Sequence, residues 1–132
     1  MFRMIVALVL IAHGLGHSMG MLAAWTAIPS GLTNRPWLFS NGVLLDSGLG
    51  RVWGLLWLAA LLITTAGGMG LLLHQDWWRT VAVAGALLSL VAIVPWLAAM
   101  PPFSAFGAVV VDLLVLALLL LPVGESFVRQ LR

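Results

Sequence analysis

Residues 8–22 read LVLIAHGLGHSMGML and place His13 and His17 four positions apart in a run that is otherwise apolar. On a helix, residues four apart share a face, so both imidazoles look the same way. The carboxylate in a comparable setting is Asp112, within AVVVDLLVLALLLL. A histidine beside such a carboxylate can hold it in a hydrogen bond or exchange a proton near neutral pH. Two histidines and one carboxylate are also the donor set of a mononuclear iron or zinc site with open positions. Asp112 at the centre of an apolar segment costs roughly 2.5–3.5 kcal/mol on an insertion scale, so it needs a partner or a shielded interior. His13 and His17 are the other titratable groups in apolar runs, which makes them the partners by elimination.

The elements that must position these groups follow from composition. The chain has 132 residues, 63% hydrophobic and 8% charged, against about 45–50% and about 25% in an ordinary soluble domain. A fold of this size cannot hide so much apolar surface from water, so its solvent is a bilayer. Six basic residues against four acids are too few for a nucleic-acid patch. With no cysteine, disulfides, thiolate metal sites and thiol nucleophiles are excluded.

A spanning helix needs about 20 mostly apolar residues, and four stretches qualify: about 4–28, 52–73, 80–100 and 103–121. Backbone groups in lipid must be satisfied internally, so each reads as α-helix. The opening MFRMIVALVLIA has the pattern of a signal peptide, but the apolar run continues to Ile28 with no A-x-A site, and it is read as part of the first span. The expected fold is one all-α membrane domain over residues 1–132, a polytopic antiparallel four-helix bundle. A long outer loop, 29–51, forms a flap between helices 1 and 2. Asn41-Gly42 between two apolar quartets predicts a hairpin there. Pro95 should kink the third helix and free the carbonyl of Val91.

Arginine placement sets the orientation. Arg3, Arg79, Arg129 and Arg132 fall on one side, Arg35 and Arg51 on the other, which makes both termini cytoplasmic and the flap external. The expected location is a cell inner membrane. Trp25, Trp53 and Trp96 fit an outer aromatic belt, Trp77 and Trp78 an inner one. On the first span Ala12, Gly16, Gly20 and Ala24 form a stripe for close helix approach. Ala60, Thr64 and Gly68 match it on the second span, Gly85 and Ser89 on the third.

At a rise of about 1.5 Å per residue, counting inward from the outer ends brings His17, Thr64, Thr65, Ser89 and Asp112 to one layer, with His13 a turn further in. The expected arrangement is a buried His17–Asp112 hydrogen bond whose remaining valences are met by Thr64, Thr65 and Ser89. Three functional readings stay open. The first is a structural or accessory membrane protein whose polar cluster fixes helix register. The alternative is a proton-coupled small-ligand binder or transporter subunit using His13, His17, Asp112, Thr64, Thr65 and Ser89. The third is a mononuclear metal enzyme with His13, His17 and Asp112 as ligands to iron or zinc; otherwise no cofactor is expected. A zinc protease is rejected because Gly14 stands where the H-E-x-x-H motif needs Glu. A bis-histidine haem is rejected because two histidines on one helix cannot clamp both faces. The expected partners are the lipid bilayer and a homodimer or larger membrane complex, with no nucleic acid and no catalytic residue assigned.

Through HGLGH in the first span, RPWLFS in the flap and VWGLLW at the start of the second span, the sequence resembles small bacterial four-span membrane proteins. In span number it is similar to DoxX-like and sterol-isomerase-like proteins. The resemblance implies topology and no activity, and it carries no site residue across.

Overall fold

The computed structural model describes residues 1–35 and 42–131. Its helices are α1 (Phe2–Gly16), α2 (Ser18–Trp25), α3 (Gly48–Leu72), α4 (Trp78–Ile93), α5 (Pro102–Leu120) and α6 (Glu125–Leu131). Tight 3-10 turns cover Val94–Ala99 and Pro122–Gly124. No strand occurs among the described residues. Four stretches are long and apolar enough to cross a membrane: Phe2–Trp25, Gly48–Leu72, Trp78–Ala99 and Pro102–Leu120. Large apolar side chains on them face outward, Leu62 and Leu114 being 58% and 54% exposed. In water such a surface would drive aggregation; in hydrocarbon it costs nothing.

The limits of the spans have local causes. The first stops at Trp25 and not at Ile28, because the next residue, Thr26, is extended (φ −135°, ψ 165°). The Thr26 hydroxyl donates to the Leu22 carbonyl (2.8 Å) and accepts from the Ile28 amide (3.2 Å), a side-chain competition that ends helices. The second span begins early, at Gly48, because Ser47 caps it: its hydroxyl accepts from the Gly50 amide at 3.2 Å. Serine is among the best residues for this task. Residues 48–51, expected in the flap, are therefore helical. Asn41 of the expected hairpin lies outside the described residues. The described parts of 26–47 fold back on the helices. Leu45 is buried beside Trp57 and Trp96, and its amide donates to the Asn34 side chain at 2.8 Å.

α3 is the central element, packed against α1, α2 and α4, while α5 leans on α4. Glycines set these approaches. A Cβ on Gly68 would lie 2.8 Å from the Ala7 carbonyl oxygen, and one on Gly67 would lie 3.0 Å from the Ala82 Cα. The expected stripe on the first span is split. Gly20 and Ala24 do face α3, but Ala12 and Gly16 are exposed. An every-four series turns by about 40° per step on a 3.6-residue helix, so it drifts off the contact. The buried face instead runs through Ala7, Leu10, Gly14, His17 and Ala24, alternating mainly steps of three and four.

Two apolar clusters form the interior. One gathers Leu10, Leu71, Trp78, Leu119 and the α6 residues Val128 and Leu131. The other gathers Leu45, Trp57, Ala92 and Trp96. Trp96 is 1% exposed, so it belongs to the core and not to the outer belt expected of it; Trp78 is likewise buried. At Pro95 the expected kink is a break: α4 ends at Ile93 and Trp96 is non-helical (φ −112°, ψ 17°). The Ala92 carbonyl beside it accepts the Trp53 indole N–H at 3.1 Å. α6 was not anticipated from sequence. It folds under the bundle, with Phe127 edge-on to Phe2 at 5.4 Å between ring centres.

Candidate functional site

Between the two apolar clusters lies a polar layer. Asp112 of α5 is fully buried. One carboxylate oxygen is 2.8 Å from His13 Nε2, and the other accepts the Ser89 hydroxyl from α4. Ser89 Oγ also lies 3.4 Å from His13 Nε2. Three helices are thereby joined by three side chains that satisfy one another, as buried polar groups must be.

This corrects the expected pairing: Asp112 bonds His13, not His17. With the span stopping at Trp25, each position lies three residues nearer the outer end than counted, roughly 4.5 Å along the axis. That leaves His13 and His17 about equally far in depth from Asp112, one on either side, and the direction of the His13 ring decides the pairing. His17 occupies the junction of α1 and α2, where its amide closes a tight turn on the Gly14 carbonyl (3.0 Å). Its ring stands edge-on to that of His13, with centres 5.1 Å apart at 74°. His17 is 4% exposed, and its Nε2 is buried without a hydrogen-bond partner among the described residues.

Thr64 and Thr65 do not complete the cluster. A Cβ on Gly85 would lie 2.6 Å from Thr64 Oγ1, and one on Gly14 would lie 2.5 Å from Thr65 Oγ1. Each hydroxyl thus fills the space left by a glycine on a neighbouring helix, and neither bonds His13, His17, Asp112 or Ser89. They are packing residues of the α3 contacts. Ser89 is the one member of the expected hydroxyl set that reaches the carboxylate.

His17 instead lines a cleft of ≈ 530 Å³ between α1–α2 and α5. That volume is in the range of small-molecule sites. Its walls include Gly16 and Ala12 on one side and Ser104, Gly107 and Ala108 on the other, with Trp57 at the back. Sequence reasoning missed Trp57 and Ser104. The signal for Trp57 was Gly20, since a Cβ there would run into the Trp57 ring. Among the described residues, no Arg, Lys, Asp or Glu lines the cleft. Among the described residues no group of three His, Cys, Asp or Glu side chains is placed to hold a metal ion. Of the three expected donors, His13 Nε2 faces Asp112 at 2.8 Å, and His17 Nε2 has no hydrogen-bond partner among the described residues.

The fold and site together define an all-helical protein with four segments fit to cross a membrane and a His–Asp–Ser contact between them. No known protein family, curated protein or solved structure matches this chain.

Proposed function

We propose that the chain is a small multi-pass membrane protein that binds a small hydrogen-bonding molecule in the cleft beside His17. The observation that carries this reading is the His17 ring: buried, without a partner at Nε2 among the described residues, and set in the wall of a ≈ 530 Å³ space. An unsatisfied buried donor or acceptor costs about 1–3 kcal/mol, and a ligand that satisfied it would recover that cost. The His13–Asp112–Ser89 contact holds the two walls of the cleft in register. Its imidazole and carboxylate can share one proton, which is where proton coupling would enter.

The topology proposed with it is an antiparallel four-helix bundle in a cell inner membrane, with a long outer loop and both termini cytoplasmic. End-to-end contacts support it. Arg3 meets His74 (2.6 Å), the Trp25 indole donates to the Arg51 carbonyl (2.8 Å), and Arg79 donates to the Leu119 carbonyl (2.9 Å). The bias of arginines towards the side of the termini sets the orientation. A C-terminal reporter active on the outer side would overturn it.

The test of binding uses 1-octanol and protein in nanodiscs with ¹⁵N-labelled histidine. The expected result is a saturable shift of the His17 Nε2 resonance. Calorimetry in two buffers of different ionisation heat reads proton coupling as a difference in binding enthalpy. The second reading is a structural or accessory protein, favoured by the mutual saturation of His13, Asp112 and Ser89. No shift at His17 on octanol addition would leave that reading standing and remove the first.

A further inference from the structure

The cleft does not end at His17. A second, smaller space of ≈ 190 Å³ lies further along the same seam between α1 and α5. The two share Val9 and Val111 in their walls, and the smaller one is lined by apolar side chains alone, reaching Leu118 and Phe127. α1 and α5 are not packed against each other along this seam; the His13–Asp112 hydrogen bond spans it. Gly16 and Gly107 face it with nothing within 4 Å of the position of an added Cβ. Small residues facing each other in lipid ordinarily let helices close together, and here the helices stand apart.

From this we infer that the seam is a lateral binding groove for a neutral single-chain lipid with a hydroxyl head, which enters from the bilayer. The inference rests on ligand binding at His17 and adds the chemical class and the path. Three features select the class. His17 Nε2 is a donor in one tautomer and an acceptor in the other, and a hydroxyl, which both donates and accepts, satisfies either. A carboxylate or phosphate head would find no cation in the walls and would be buried without compensation. The continuation past Val9 and Val111 has no polar side chain, so the part of the ligand that occupies it is hydrocarbon. The head sits at His17 between Gly16 and Gly107. The chain then runs along the lipid side of the His13–Asp112 bridge towards Leu118.

The experiment is photolabelling of the full chain in nanodiscs with hexadecanol bearing a diazirine in its chain. The expected result is labelling concentrated on Ile5, Val9, Leu114 and Leu118. Unlabelled hexadecanol should compete at least tenfold better than hexadecane or palmitate. His17→Phe keeps an aromatic ring and removes the hydrogen bond, so it should abolish the preference for the alcohol over the alkane. Gly107→Leu fills the groove at a position where a Cβ meets nothing, so a folded variant should lose the labelling itself. Label spread evenly over outward residues such as Leu55, Leu62 and Leu87 overturns the proposal, as does equal competition by hexadecane. A dimer that shields the seam from the probe overturns it too. If octanol shifts His17 while hexadecanol does not label the seam, the long-chain groove is wrong and the binding reading survives. If neither happens, both fall.

Discussion

His13 and His17 stand edge to face, with ring centres 5.1 Å apart, yet they have different surroundings. His13 is held by Asp112 at 2.8 Å, whereas His17 is buried with no partner for its Nε2 among the described residues. One helix turn separates a histidine that ties the fold together from one with a valence to offer. The pair therefore divides into a hydrogen-bonded histidine and one whose Nε2 has no partner among the described residues, and substitutions at the two sites should behave differently.

The first expectation concerns the tie. In a double-mutant cycle of His13→Ala and Asp112→Ala, the coupling energy should be about 1–2 kcal/mol, at the upper end of measured polar contacts between membrane helices. Asp112→Asn keeps an acceptor for His13 and for Ser89 and should lose less than Asp112→Ala. Reversible unfolding in mixed micelles reads both. A coupling energy indistinguishable from zero would show that the contact does not hold α1 to α5.

Gly14 and Gly16 provide a second test on one helix. A Cβ on Gly14 would lie 2.5 Å from Thr65 Oγ1 and 2.8 Å from the Thr65 amide nitrogen, and the backbone cannot yield as a side-chain end can; at Gly16 it meets nothing. Gly14→Ala should destabilise by about 1–3 kcal/mol, the usual range for overpacking. Gly16→Ala should be neutral or stabilise by up to about 1 kcal/mol through helix propensity. Thermal unfolding of the two variants side by side decides it, and equal losses would contradict this packing.

Much of this architecture was legible because bilayer thickness and backbone hydrogen bonding leave few options for apolar runs of this length. The four spans and a polar layer holding Asp112 and Ser89 follow from run lengths and from the cost of a buried carboxylate, whereas His13 was expected a turn deeper than that layer. The choice of His13 over His17 does not follow from either. The end of α2, which the Thr26 side chain sets through two local hydrogen bonds, brings both histidines to within about 3 Å of the depth of Asp112, and the direction of each ring then decides. The threonines were misassigned for a related reason: depth along a helix says nothing about which way a side chain points. Trp96 was expected in the outer belt because tryptophan type alone does not separate the interface from a core, where its ring is 1% exposed. α6 is too short and too mixed in composition to signal itself in isolation.

Trp53 supplies a third expectation. Its indole N–H donates to the Ala92 carbonyl at 3.1 Å, next to the helix break at Pro95. Trp53→Phe keeps most of the ring but leaves that carbonyl without this donor. The loss should be about 1 kcal/mol, with the α4 break as the first segment to open. Hydrogen exchange at amides 94–99 should speed up relative to those of α3. Unchanged protection across 94–99 would mean that the indole is not what stabilises the break.

His74 ends α3 with φ at +56°, the left-handed region where a side chain is strained and glycine is at ease. The surrounding bonds explain why that shape is imposed. The His74 amide reaches the Leu71 carbonyl at 3.4 Å and the Gln75 amide reaches the Gly70 carbonyl at 2.9 Å, the pair of contacts that closes a Schellman motif. The position calls for glycine, and histidine occupies it while its Nδ1 meets Arg3 at 2.6 Å. That contact is exposed, and exposed polar contacts contribute little. Relief of the left-handed strain, by contrast, is of the order of 1 kcal/mol. His74→Gly should therefore raise the unfolding temperature in micelles. Arg3→Ala should leave it nearly unchanged, and adding Arg3→Ala to His74→Gly should have no further effect. A destabilised His74→Gly would instead mean that the Arg3–His74 contact outweighs the strain and anchors the start of α1 to the end of α3.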